Sequence, residues 1–225
     1  MRAVGSAGLL TRLAALAALG LGLFTGGSAS AAPIGPDCGT CQGSIYTLQY
    51  NPTPVATTAT TQTFRITFTI DTSGYDGGGT GIDTVAVKIS DSLVSGSLVA
   101  APLGVDNWYN FVNQGLNAGG CSSGGSGYDC TRIKVLLGAE PAPVGGTLTW
   151  QWDLEIATGD LFTGPFEASV KARYVDDDGA KVGALVSEGI TLQPNGNVVP
   201  EPASAALTGL GLVAVGMRRR RARRR

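Results

Sequence analysis

The sequence predicts an all-β protein, an antiparallel β-sandwich of Ig-like or jelly-roll-like type with about eight or nine strands. Three observations lead there. Several segments alternate apolar and polar residues with period two. Turn-forming stretches rich in glycine and aspartate separate them, as in "SGYDGGGTG", "NAGGCSSGGSGYD" and "VDDDGAK". No segment sustains the three-and-four spacing of an amphipathic helix.

The clearest alternation is in "TFRITFTI", where Phe64, Ile66, Phe68 and Ile70 share one face and Arg65, Thr67 and Thr69 the other. In "LTWQWDLEI", Leu148, Trp150, Trp152, Leu154 and Ile156 oppose Thr149, Gln151, Asp153 and Glu155. In "FEASVKARY", Phe166, Ala168, Val170, Ala172 and Tyr174 oppose Glu167, Ser169, Lys171 and Arg173. Such patterns mark antiparallel strands with one buried and one wet face. Weaker strand signals run over Ile45–Tyr50, Thr84–Ile89, Leu93–Ala100, Ile133–Leu137, Lys181–Ser187 and Ile190–Leu192. The stretch "NWYNFVNQGLN", Asn107 to Asn117, reads as a helical turn or long loop. No repeat or linker divides the body, which is expected to be one domain over residues 32–198.

Both ends read as sorting segments. Arg2 and Arg12 precede a short apolar core, Leu13 to Phe24, and small residues follow, with an A-x-A step at Ala29-Ser30-Ala31. This is the pattern of a secretory signal peptide over residues 1–31, cleaved after Ala31 and handled by the Sec translocon and signal peptidase. An uncleaved membrane helix is the alternative, but the apolar run is short for a span.

Between Ala32 and Val199, seven basic residues face sixteen acidic ones, a net charge of −9, whereas the whole chain carries −1. An acidic body offers no basic face for phosphates, which argues against nucleic acid as a partner. Histidine is absent, which excludes Ser-His-Asp triads, Cys-His nucleophiles and His-ligated zinc or copper.

The four cysteines are Cys38, Cys41, Cys121 and Cys130. In an exported chain they imply disulfides, with three connectivities open. Local pairing is the cheapest, Cys121 with Cys130 across "CSSGGSGYDC" and Cys38 with Cys41 across "CGTC". A redox C-x-x-C would need a strand before it and a helix N-terminus after it, which the sequence lacks. Zinc would need four thiolates drawn from two unlike spacings.

Candidate chemistry is sparse, and no catalytic residue and no metal site is expected. Asp153 and Glu155, two apart on a strand, would lie roughly 7 Å apart, a spacing that glycosidases use. They share their face with Thr147, Thr149 and Gln151, the composition of an ordinary solvated sheet. Trp150 and Trp152 alternate in phase with leucine and isoleucine and so belong to the core. Trp108, Tyr109 and Phe111 are the better candidates for an exposed, ligand-binding aromatic patch. Asp176, Asp177 and Asp178 are contiguous, unlike the alternating carboxylates of an EF-hand loop, and read as a hairpin turn with Gly179 at positive φ. Asp71, Asp76 and Asp83 flank a glycine-rich turn and leave calcium as the one cofactor to consider.

The chain closes with Pro200-Glu201-Pro202, a fifteen-residue apolar run from Ala203 to Met217, and the arginines Arg218, Arg219, Arg220, Arg221, Arg223, Arg224 and Arg225. As a helix the run would be about 22 Å long, short for a hydrocarbon core of about 30 Å. The arginines are a stop-transfer block that stays on the cytoplasmic side. This order of parts over residues 199–225 resembles the PEP-CTERM sorting signal of Gram-negative bacteria. The resemblance implies transient insertion in the inner membrane, recognition at Pro200, Glu201 and Pro202 by an exosortase, and a processed protein at the cell surface or outside it. It also implies an exopolysaccharide setting, without fixing a role for the body. The expectation is a non-catalytic surface or matrix protein; a carbohydrate-binding module and a secreted carboxylate-dependent glycoside hydrolase are the alternatives.

Overall fold

A computed structural model describes residues 29–30, 33–51, 53–158, 166–183 and 185–192. Residues 1–28 of the expected signal peptide and the whole tail expected to serve for sorting, including Pro200, Glu201, Pro202 and the arginine block, lie outside the described residues.

The strands are β1 (Ala29–Ser30), β2 (Ile45–Tyr50), β3 (Ala56–Thr57), β4 (Thr61–Asp71), β5 (Gly81–Lys88), β6 (Leu93–Ala100) and β7 (Trp108–Val112). There follow β8 (Gln114–Asn117), β9 (Gly120–Ser123), β10 (Tyr128–Ile133), β11 (Ala142–Pro143), β12 (Thr147–Ala157), β13 (Phe166–Val175) and β14 (Val186–Leu192). Two short 3-10 turns, Val105–Asn107 and Val135–Leu137, interrupt the strands, and no helix among the described residues is long and apolar enough to cross a membrane.

Two antiparallel sheets pack face to face. The first runs β1-β2-β4-β12-β6 with β3 beside β4; the second runs β14-β13-β5-β10-β7 with β11 beside β5. The core lies between them. β4 and β12 pair in register over eleven residues, placing Phe68 opposite Trp150 and Ile66 opposite Trp152. Tyr46, Leu48, Ile66, Phe68, Trp150 and Trp152 are all fully buried, as are Val85, Val87, Val170 and Tyr174 from the second sheet. Burial at this density, at roughly 25 cal/mol per Å² of apolar surface, is the main driving force for the fold. On the wet face of the same strands, Arg65 donates to both carboxylate oxygens of Asp153, at 2.8 and 2.7 Å.

A hairpin of β8 and β9 forms a third layer over the outside of the second sheet. Its Leu116 packs with Ala86 and Cys130 in a small second apolar cluster that Cys121, Tyr128 and Leu185 border. The disulfide Cys121–Cys130 holds this layer down, and Cys38–Cys41 closes the loop ahead of β2; no described cysteine is free.

Four expectations need correction. Asn107 to Asn117 is not a helical turn or loop but β7 and β8. Its inward residues include Asn110, so a polar residue interrupts the apolar period that would have marked the strand. The glycine-rich stretch around Cys121 is not turn throughout: it holds the short strand β9 between turns at 118–119 and 124–127, the second leading into β10. In β10 the outward residues are Cys130 and Arg132 and the inward ones Asp129, Thr131 and Ile133, an inversion of the usual polarity. Ile133–Leu137 is not a strand: after Ile133 the chain turns, with Leu137 N–H donating to Lys134 O at 2.8 Å and Gly138 at φ 82°. The two segments expected at Lys181–Ser187 and Ile190–Leu192 are one strand, β14, preceded by a bridge between Lys181 and Val175.

Replacing Cys121 and Cys130 by serine frees a loop with a sequence separation of 9, against 3 for Cys38–Cys41. Loop-closure entropy then predicts a loss of about 2–3 kcal/mol for the first pair and a smaller loss for the second, read from urea unfolding midpoints.

Candidate functional site

The second sheet carries an open cleft at the end where β5 begins and β13 finishes. Its origin is a bulge. β13 and β5 pair Arg173 with Thr84 and then Tyr174 with Ile82, which leaves Asp83 without a partner position. Asp83 and Arg173 are both buried, at 3% and 8% exposure. The Arg173 guanidinium binds Asp83 through Nη1, and its Nη2 donates to Gly179 O at 3.3 Å. Burial pushes the Asp83 carboxyl up, while the neighbouring positive charge of Arg173, the Thr84 hydroxyl and the more distant Arg132 oppose that shift.

Gly179 belongs to the turn that follows β13. Asp176 Oδ1 accepts the backbone N–H groups of Asp178 and Ala180 at 3.1 and 2.8 Å, and Gly179 adopts φ 76°. This geometry spends Asp176 on the turn and leaves Asp177 and Asp178 at the mouth of the cleft. On the far side Arg132 of β10 stands opposite Thr84. The cleft measures about 320 Å³, and Val135, Leu136 and Pro141 complete its lining. A second cleft of about 350 Å³ shares Pro141 and Asp177 with it and extends past Thr80, Gly81 and Glu140.

A second polar cluster lies inside the core. Asp129 is fully buried. Its Oδ2 accepts from Asn110 Nδ2 at 3.1 Å, and its Oδ1 has no partner. Asn110 Nδ2 also donates to Gly96 O, and its Oδ1 accepts from Thr131 Oγ1 at 2.8 Å. Trp152 Nε1 donates to Thr131 Oγ1 at 2.9 Å. Gly96 makes the site feasible, since a Cβ there would overlap Asp129 Oδ2. Burial pushes the Asp129 carboxyl up to about 7, with the Asn110 hydrogen bond pulling the other way.

The aromatic trio divides by strand alternation. Trp108 faces the core at 3% exposure, meets Trp150 edge-on at 5.6 Å, and donates from Nε1 to Pro102 O at 2.7 Å. Tyr109 is exposed and Phe111 half-buried on the opposite face, their rings 6.0 Å apart with Lys134 Nζ over Tyr109. Trp108 is therefore separated from the other two, and only Tyr109 and Phe111 share a surface. Asp153 is engaged by Arg65, and Glu155 accepts from Thr61 and Ser95 hydroxyls, which lower its pKa. Asp71 caps Ser73, while Asp83 is paired in the cleft, so the aspartates proposed for calcium are not gathered; no group of three or more metal-ligating side chains occurs among the described residues. Sequence reasoning missed Asp83, Arg132 and Arg173 as a group. The available signal was the scarcity of arginine in the body, only three, two of them on strands of this sheet.

Compared with known protein families and curated proteins, the chain matches no family model and no curated sequence.

Removing one member of the buried ion pair strands the other charge. Asp83→Ala and Arg173→Ala are each expected to cost about 3–5 kcal/mol in chemical unfolding, whereas the double variant Asp83→Leu/Arg173→Met recovers most of the loss. The Asp129 carboxyl gives a pH signature. The folded state holds its proton up to about pH 7, whereas the unfolded state releases it near the ordinary aspartate value of 3.8. Between those values the folded state binds more protons, so stability falls as pH rises through the window and levels off above it. The expected fall is about 4 kcal/mol, and Asp129→Asn should flatten the profile.

Proposed function

We propose that the protein is an exported, non-catalytic component of the cell surface or extracellular matrix, released or transferred outward by an exosortase and associated with exopolysaccharide. One observation carries this reading: Pro200-Glu201-Pro202, an apolar run and an arginine block stand in that order at the C-terminus, in a chain that opens with a signal-peptide pattern. The disulfides Cys38–Cys41 and Cys121–Cys130 support it, because such bonds persist in oxidising compartments. The sandwich is of Ig-like or jelly-roll-like type, the apolar run of the tail serving for sorting rather than for activity.

The topology suits a tether. β14 ends at Leu192 opposite Phe166, whereas the cleft lies where Val175 meets Gly81, at the other end of the same sheet. A body held by its C-terminal tail would then direct the cleft away from the membrane. Asp153 and Glu155 engage neighbouring side chains on an open sheet face, which favours this reading over a glycoside hydrolase.

Intact-mass measurement of the protein from cells with an active exosortase is expected to show a species that begins at Ala32 and lacks Arg218–Arg225. In cells without the exosortase the arginines should remain. A mature form that keeps them in both strains overturns the proposal.

A further inference from the structure

We propose that the cleft over the Asp83–Arg173 pair, together with its neighbour, is a binding groove for an uncharged polysaccharide segment, with Arg132 and the carboxylates of Asp177 and Asp178 as its hydrogen-bonding walls. This deepens the surface-protein reading and rests on it only for the presence of polysaccharide around the protein; binding itself is read in vitro.

The charges select against anions. Arg132 and Arg173 face Asp83, Asp177 and Asp178 around one cleft. An anion entering it meets two carboxylates at the mouth, in a body of net charge −9. A cation meets Arg132. A neutral polyol meets neither penalty.

The polar groups are also sorted by type. A guanidinium only donates and a carboxylate only accepts, whereas each sugar hydroxyl does both, so a diol set between the walls satisfies the two together. The Arg132 side chain is only half-buried, and no hydrogen bond or ion pair to another described residue occupies its donors. Arg173 is nine-tenths buried beneath the cleft, its Nε without a partner. That guanidinium forms a charged floor fixed by Asp83 and Gly179. Leu136, 96% exposed, and Pro141 supply apolar surface for the C–H face of a sugar ring.

Size points to a chain rather than a single small molecule. Each cleft alone is at the lower limit of ligand pockets, which run from about 300 to 1,000 Å³. Pro141 and Asp177 line both, so the two clefts lie side by side and together offer room for more than one sugar unit.

The test is calorimetric titration of the full-length protein, in a detergent without a sugar headgroup, with neutral gluco-, manno- and galacto-hexasaccharides and a hexauronate of equal length. At least one neutral hexasaccharide is expected to bind with a Kd on the order of 0.1–1 mM, about tenfold more tightly than the hexauronate. Arg132→Ala and Asp177→Asn/Asp178→Asn should each weaken it about tenfold without moving the melting temperature. Leu136→Ser, at an exposed position, provides a second probe should Arg132→Ala unfold the protein, with the same weakening expected. The proposal fails if no neutral hexasaccharide binds at about 5 mM, if binding survives all these variants, or if the hexauronate is preferred. These outcomes are independent of tail processing, so loss of either proposal leaves the other standing.

Discussion

The rest of the sandwich is organised around the register between β4 and β12. Those strands pair residue for residue from Thr61–Ala157 to Asp71–Thr147. Because side chains alternate strictly, a slip of β12 by one residue against β4 would turn Trp150 and Trp152 outward and bring Asp153 into the core. Both consequences are prohibitive, so the register is held from its two faces at once. The tryptophans supply the apolar area; the bidentate Arg65–Asp153 pair and the Thr69–Thr149 contact accompany it on the wet face without needing to supply much energy. The second sheet then has a continuous apolar surface to pack against, which Trp108 extends from β7.

The second sheet departs from the simple pattern twice, once on each face. On the inner face Asp129, Asn110 and Thr131 make a hydrogen-bonded cluster that Trp152 of the first sheet completes. The cluster also reaches β6 through Gly96 O, so polar contacts join the sheets at the side where their edges approach. On the outer face the β5 bulge sets Asp83 beneath Arg173, and that guanidinium holds the following turn through Gly179. A bulge of this kind gives β13 and β5 a local twist and opens the cleft beside it. Since β5 is buried on both faces, it has no fully wet side, and a hairpin with its own disulfide covers part of what would otherwise be exposed.

Legibility followed chemistry. Where the inward face is wholly apolar, as in β2, β4, β12 and β13, the alternation in the sequence marks strands that the structure contains. Where polar residues point inward, the same reasoning fails. β7 carries Asn110 inward and β10 carries Asp129 and Thr131, so neither displays the period that announces a strand. Leu136 and Leu137 failed in the opposite sense, apolar residues that continue an apparent strand yet lie exposed in a 3-10 turn. The cleft was illegible for a third reason. Asp83, Arg132 and Arg173 come from three strands, and only the pairing of β13, β5 and β10 brings them together.

By itself the sequence determined the all-β class, the faces of the strongest strands, the local pairing favoured by the spacing of the cysteines, and the hairpin turn at Asp176–Gly179. All of these depend on neighbours within about ten residues, over which period and loop closure act directly. Tertiary structure alone decided that Trp108 is core while Tyr109 is surface, that Asp129 is buried, and that Asp83 meets Arg173. Those outcomes depend on strand order and on one bulge, and both arise from packing between segments distant in the chain.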